Sequence, residues 1–288
     1  MLTARKDFYS LLPRRILLEI DSIALSRVGE ISEIRLRKGG RNSVTVGGER
    51  IFLSGKITAL EMDEYFKAII GESMYAYRDT LSGGYISLDG GVRIGVVGSA
   101  SYDGARLVGI SNVSSLCIRI PSPHFVSDEK IYEAFKMAKT GLLVYSPPGE
   151  GKTSALRYLA ELLSSSKIGM NVAVIDERLE FSEIKNERLS LDILSGYKKT
   201  DGLEIALRTL APEVVIVDEI GGENEALGML PFVNSGVRII ASAHAFDFEE
   251  LRRKKNIAPF FSFGVFDAFL SIKRLKNDFY YEAFSTYD

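Results

Sequence analysis

The sequence holds a single cysteine, Cys117, so no disulfide can form within the chain. That fits a reducing compartment. No stretch approaches the ~20 consecutive apolar residues that a membrane-spanning helix needs. Arg5, Lys6 and Asp7 have no apolar run behind them, so the opening residues lack a secretory pattern. The expected location is the cytoplasm, with any membrane attachment made through partners and no direct insertion. Neither sign of charge dominates: 36 Lys and Arg stand against 38 Asp and Glu, for a net charge of −2. Bulk charge therefore gives no reason to expect nucleic acid. Tryptophan is absent, which removes one platform on which bases stack. There is no internal repeat and no low-complexity tract.

What is present is globular. Hydrophobic residues make up 46% and charged residues 26% of 288 residues. That is enough chain for a substantial core and suggests two domains. Phe8 to about Val28 reads as a helix, with Pro13 in its first turn and Leu17, Ile20, Ile23 and Ala24 on one stripe. Glu30 to Arg37 alternates as a strand with one charged face. Val44 to Leu53 reads as a hairpin around Gly47-Gly48. Thr58 is placed to cap a helix from Ala59 to Ile70, with Leu60, Tyr65, Phe66, Ile69 and Ile70 as its apolar side and Gly71 as its end. Between Leu81 and Ile120, glycines punctuate short strands at Tyr85–Leu88, Val92–Val97 and Leu116–Ile120, the pattern of an antiparallel sheet. Cys117 reads as buried filler in the last of these.

Pro121-Ser122-Pro123 is the linker candidate. It divides the chain into an α+β domain at 1–122 and a second domain at 123–288. Beyond it the texture changes. Short, nearly all-apolar strands at Gly141–Tyr145, Asn171–Ile175, Val214–Val217 and Val237–Ser242 alternate with helical patterns. Strands apolar on both faces imply a parallel sheet covered on both sides, so the second domain is α/β.

The first of those strands carries the chemistry. Leu142-Leu143-Val144-Tyr145 enters the loop Ser146-Pro147-Pro148-Gly149-Glu150-Gly151-Lys152-Thr153-Ser154, and Ala155 to Leu163 follows as a helix. Strand, Gly-rich loop, Lys-Thr and helix form a phosphate-binding loop. Gly149 and Gly151 let backbone N–H groups approach an anion, and the helix N-terminus adds partial positive charge there. Lys152 is expected to reach the β- and γ-phosphates of ATP, and Thr153 to ligate Mg²⁺. Ser146 stands where the strict pattern has glycine, which a tight turn accepts if φ stays negative. Glu150 is expected to point away from the phosphates, which would repel it.

Two further strands end in acids, where ligands bind a parallel sheet. Val214 to Val217 leads into Asp218, expected in the Mg²⁺ shell, and Glu219, expected to polarise the attacking water. Val172 to Ile175 leads into Asp176 and Glu177, expected to order Mg²⁺ or water, and then Arg178, a phosphate or subunit contact. A third strand ends at His244, a candidate γ-phosphate sensor. One core leaves the nucleotide open on one side, so a neighbouring subunit should supply a positive charge. Arg93, Arg119, Arg178 and Arg208 are the candidates. The basic run Arg252-Arg253-Lys254-Lys255 reads as a solvated helix face, and His124 as a structural residue.

Taken together, the loop, the acidic strand, Leu207-Arg208-Thr209-Leu210-Ala211-Pro212-Glu213 running into Asp218-Glu219, and Ser242-Ala243-His244 resemble the secretion-type ATPases of type II and type IV machines. Ser73-Met74-Tyr75-Ala76-Tyr77, Gly84-Tyr85-Ile86-Ser87, Gly90-Gly91-Val92-Arg93-Ile94-Gly95, Gly109 to Ser115 and Ile175-Asp176-Glu177-Arg178 narrow the resemblance to the stage III sporulation protein AA family. Between Leu189 and Gly202 the chain keeps Asp192, Gly196, Lys199 and Gly202. The resemblance implies a RecA-like core, a hexameric ring and a Mg²⁺-dependent ATPase. It also implies membrane-protein partners in a channel complex between mother cell and forespore. Two other classes use such a core: a nucleic-acid-dependent ATPase, and a scaffold that binds nucleotide with little turnover.

Overall fold

The structure, a computed structural model, describes residues 8–26, 31–71, 81, 83–88, 91–104, 106–121, 128–182, 184, 188–275 and 278–287. Val28, Ser73–Tyr77, Gly90, Ser122, Pro123 and His124 lie outside them. The chain divides into two compact units, Met1–Pro123 and His124–Asp288.

The first unit is built on a six-stranded sheet, ordered β3-β2-β1-β6-β5-β4. Its strands are β1 (Ile31–Arg37), β2 (Ser43–Val46), β3 (Glu49–Phe52), β4 (Tyr85–Leu88), β5 (Val92–Asp103) and β6 (Arg106–Arg119). Every pairing in it is antiparallel. Alternation sends Ile34, Leu36, Val44, Ile86, Ile94 and Ile118 to one face, where α1 (Arg14–Ser26) and α2 (Ala59–Ile70) cover them with Ile16, Ile20, Met62 and Tyr65. The β2–β3 turn uses Gly47 and Gly48 at φ 57° and 86°, the left-handed pair that a two-residue hairpin requires.

Helix α2 begins as its sequence asked. Thr58 accepts from the Glu61 backbone N–H, and the Glu61 carboxylate accepts from the Thr58 N–H, a reciprocal capping box. Leu60, expected on the apolar side, is 68% exposed because it sits in the first turn, while Met62 takes the core position. Pro13 sits just before α1 rather than inside its first turn, and its carbonyl accepts from Ile16 and Leu17.

Two further expectations fail in this unit. Strands β5 and β6 run 12 and 14 residues, well past the short stretches their glycines suggested. Gly98 is the reason rather than an interruption. A Cβ there would lie 2.4 Å from the Ser111 carbonyl, so glycine lets the two long strands stay close. Cys117 is not buried filler. Its register opposite Arg35 and Gly95 puts it on the open face, half-buried, with the Arg35 guanidinium 3.2 Å from its sulfur.

The second unit is a seven-stranded sheet ordered β13-β12-β7-β11-β10-β8-β9. The strands are β7 (Gly141–Ser146), β8 (Val172–Asp176), β9 (Leu191–Ser195), β10 (Val214–Val217), β11 (Arg238–His244), β12 (Ala268–Leu275) and β13 (Asp278–Ser285). All pairings are parallel except the terminal hairpin β12–β13. Helices α3 (Glu129–Met137) and α4 (Lys152–Ser164) join one apolar face. Helices α5 (Lys199–Thr209), α6 (Glu223–Asn234), α7 (Phe248–Arg253) and α8 (Ala258–Ser262) join the other. Residues 141–146, 172–176 and 214–217 are buried throughout, as a sheet covered on both sides demands. Gly202 lets α5 settle onto β8, since a Cβ there would stand 2.6 Å from Ile175.

This order places β11 between β7 and β10. The chain leaves β7 for β8, three places across the sheet, so a crevice opens at the carboxyl ends of β7, β11 and β10.

Candidate active site

That crevice receives the loop after β7. Gly149 and Gly151 adopt φ of 80° and 94°, the left-handed region that glycine enters without a side-chain clash. Gly151 is the N-cap of α4 and carries no side-chain cap, so the first N–H groups of that helix have no local acceptor. Ser146 ends β7 with negative φ and is buried, which is how it fits where glycine is usual. The Glu150 carboxylate faces away from the loop and accepts the Arg274 backbone N–H at 2.5 Å.

Lys152 is buried, and its ammonium is engaged. Its Nζ donates to the carbonyls of Ser146 (3.0 Å) and Pro147 (2.9 Å), lies 3.2 Å from Ser146 Oγ, and stands 2.9 Å from His244 Nδ1. Four acceptors share three N–H bonds. Burial pulls the Lys152 ammonium down to about 8, against the opposing pull of Asp218. His244 reaches the loop because β11 pairs with β7 in a register that sets it opposite Ser146. Burial, and then Lys152, hold its pKa below the ordinary value, so it is the neutral ring that accepts at Nδ1.

The acids converge from β10 and β8. Thr153 Oγ1 donates to Asp218 Oδ2 at 3.0 Å, and Ser242 Oγ donates to Asp218 Oδ1 at 2.6 Å. Glu180, which the sequence pattern does not single out, lies against the carboxylate of Asp218 and the hydroxyl of Thr153. Burial, and then the Asp218 charge, push Glu180 up to about 8, so Glu180 holds a proton at neutral pH. Asp176 has a different occupation. Its oxygens accept the backbone N–H groups of Glu180 (2.8 Å) and Phe181 (2.9 Å), closing the turn that presents Glu180. Glu180 thus stands against Asp218 and Thr153, where Asp176 was expected to contribute.

Glu219 has φ of 49°, an uncommon conformation for a residue with a side chain. Its backbone N–H donates to Ser242 Oγ at 2.9 Å, and its carbonyl accepts from Lys199 Nζ at 2.6 Å. Its carboxylate pairs with Arg178 and lies 3.7 Å from His244 Nε2. Glu177 turns to the outer side, 3.6 Å from Lys199. Arg208 is not gathered in. It is exposed on α5 and paired with Glu204 one turn away. Arg252 and Arg253 pair with Glu249 on an exposed helix, but Lys254 turns inward to donate to the His244 carbonyl at 2.5 Å.

Among the described residues, no group of three or more His, Cys, Asp and Glu forms a self-contained metal site. Mg²⁺ commonly binds through one or two protein oxygens plus phosphates and water, and Thr153 with Asp218 is such a donor set.

The family model described as "Sporulation stage III, protein AA" matches residues 3–278. Stage III sporulation protein AA of Bacillus subtilis (strain 168) is 28% identical over 257 residues, covering 86% of this chain and 84% of that protein. Among solved structures, the pilus retraction motor PilT with bound ADP matches with a TM-score of 0.63 at 16% identity, over 93% of this chain and 82% of the other. The Legionella pneumophila ATPase DotB matches with a TM-score of 0.60 at 15% identity, over 93% and 78%. That likeness shows the fold class: a RecA-like α/β core with a smaller N-terminal α+β unit, the fold of these P-loop ATPases. Among the described residues, no helix is long and apolar enough to cross a membrane.

Proposed function

The chain belongs to the Sporulation stage III, protein AA family, and from that premise we propose that it binds and hydrolyses ATP with Mg²⁺ as a secretion-type motor. The observation that carries this reading is the loop itself. Left-handed Gly149 and Gly151, an uncapped helix start and buried Lys152 converge beside a Thr153–Asp218 hydrogen bond. Loop N–H groups from Gly149 to Ser154 hold the phosphates, and Lys152 exchanges loop carbonyls for β- and γ-phosphate oxygens. Thr153 and Asp218 would hold Mg²⁺, which neutralises charge on the phosphates when bound. Glu219 polarises the attacking water. Glu180 tunes the acid pair with Asp218, and Asp176 holds the turn beneath it. His244 reports on the γ-phosphate side, and Glu177 orients the outer edge through Lys199.

The motor acts as a homo-oligomer, a hexameric ring in which a neighbour closes each site with an arginine. Of the four candidates, Arg93, Arg119, Arg178 and Arg208, Arg178 is paired with Glu219 of its own chain, which favours the other three. We place the domain boundary at 122/123, the ring in the cytoplasm, and its partners among membrane proteins of a sporulation channel. A second reading, a nucleotide-bound scaffold with little turnover, is favoured by the Arg178 ion pair that occupies the Glu219 carboxylate.

Titration calorimetry with Mg-ATP tests the first step. Lys152→Ala should weaken ATP binding by ~10- to 100-fold, the worth of a charge-assisted hydrogen bond, with an unchanged circular dichroism spectrum. Equal affinities would overturn the loop assignment. A turnover assay beside a sizing measurement then separates motor from scaffold.

A further inference from the structure

Glu219 is fixed everywhere except at its carboxylate. Its N–H is held by Ser242 and its carbonyl by Lys199, at a left-handed φ that leaves little backbone play. The carboxylate then divides its oxygens: Oε2 pairs with Arg178, and Oε1 faces His244 Nε2 at 3.7 Å. The other nitrogen of His244 is 2.9 Å from Lys152 Nζ. One line of groups therefore runs Arg178–Glu219–His244–Lys152, from the acidic turn to the phosphate-binding lysine, bonded at both ends and open by 3.7 Å between Glu219 and His244.

Arg178 owes its position to a rigid support. It lies in the turn that Asp176 closes through the Glu180 and Phe181 N–H groups, next to Leu179 at φ 57°. The pair it makes is about one-third exposed on both sides. A pair of that exposure shifts an equilibrium by roughly fivefold or less. It is strong enough to bias where the carboxylate sits and weak enough to open during each cycle.

We propose that Arg178 is a positioning residue that holds the Glu219 carboxylate off the attacking water for as long as Lys152 bonds His244, and that the hold loosens when Lys152 turns to phosphate. His244 carries the message because its two ring nitrogens face the two groups: losing the Lys152 contact frees the ring to draw Glu219 Oε1 away from Arg178. The inference rests on the nucleotide reading above. It also reconciles that reading with the occupied carboxylate, since a held glutamate gives a low basal rate in a competent enzyme.

The test uses the full chain with Mg-ATP: parent, Arg178→Ala, Arg178→Lys, Glu219→Gln and the Arg178→Ala/Glu219→Gln double variant. Arg178→Ala should raise the basal kcat roughly two- to fivefold, with ATP affinity unchanged within about twofold. Arg178→Lys, which keeps the charge, should return most of the parent behaviour. The double variant should be no faster than Glu219→Gln alone, because Arg178 acts only through Glu219. A fall in kcat for Arg178→Ala, a rise in KM alone, or an equal acceleration in the Glu219→Gln background would overturn the hold. A second readout needs no turnover. The Arg178 side-chain N–H signal in NMR should be protected from exchange in the parent and lose that protection in Glu219→Gln, and in the parent on saturation with a non-hydrolysable ATP analogue. Equal protection in parent and Glu219→Gln would overturn the pairing. A parent that binds no ATP would instead defeat the nucleotide reading, and the arginine signal would still decide whether the pair exists.

Discussion

The two sheets of this protein solve the same burial problem in opposite ways. In the first unit, apolar residues alternate, helices cover one face, and the other face carries Glu33, Arg35, Cys117 and Arg119 along its length. In the second unit, β7, β8 and β10 are buried on both faces, so polar side chains are displaced to the strand ends. A one-sided sheet spreads its chemistry over a surface. A two-sided sheet concentrates it at an edge, and there Lys152, Asp218, Glu219 and His244 meet. Precise placement of these polar groups thus follows from the denser burial.

The comparison can be broken most forcefully at its buried end. Ile216 is fully buried in β10, and Ile216→Ala should cost about 2–5 kcal/mol through lost burial plus the cavity left behind, read from urea denaturation. A loss under about 1 kcal/mol would mean that the two-sided sheet is less tightly packed than argued. Next comes the edge. Glu219→Gln should lower kcat by ~10²-fold or more, about 2.7 kcal/mol, while ATP affinity stays within a few-fold. A parent-like rate would remove Glu219 from the chemistry.

A third effect is pH dependence. Glu180 is raised from its ordinary 4.5 to about 8, so the native state holds a proton that the unfolded chain releases between those values. Its contribution is fully present below the lower value and is lost as pH rises through the upper one. The slope is at most about 1.4 kcal/mol per pH unit. Glu180→Gln should flatten stability curves taken between about pH 5 and about pH 8, and an unchanged slope would show that Glu180 ionises freely. The smallest effect belongs to the open sheet. Val97 is 58% exposed on β5, and Val97→Thr, which keeps the branched side chain, should stay within about 0.5 kcal/mol. A larger loss would point to a cover on that face.

The same contrast explains what could be read from the residues alone. The loop from Ser146 to Ser154 and the acids after β10 were legible because a fully apolar strand announces its own end. Thr58 was legible because its capping partner, Glu61, is three residues away. The lengths of β5 and β6 were not, since Gly98 looks like a break in sequence and acts as a spacer between paired backbones. Cys117 was misread because period-two alternation does not say which face the helices cover. Glu180 escaped notice because its meaning lies in Asp218 and Thr153, brought to it from other strands. The partner of Arg178 was hidden likewise. Charge pairing across a sheet edge is a product of topology, and no local pattern encodes it.

Glu150 carries a consequence for how the sequence can drift. Its carboxylate is anchored to the backbone N–H at position 274. That anchor itself persists when the side chain at 274 is exchanged, so this link between loop and hairpin leaves no trace as paired substitutions. Proline alone lacks the hydrogen that the anchor needs, and it is the one residue whose arrival at position 274 would be felt across the sheet, in the loop.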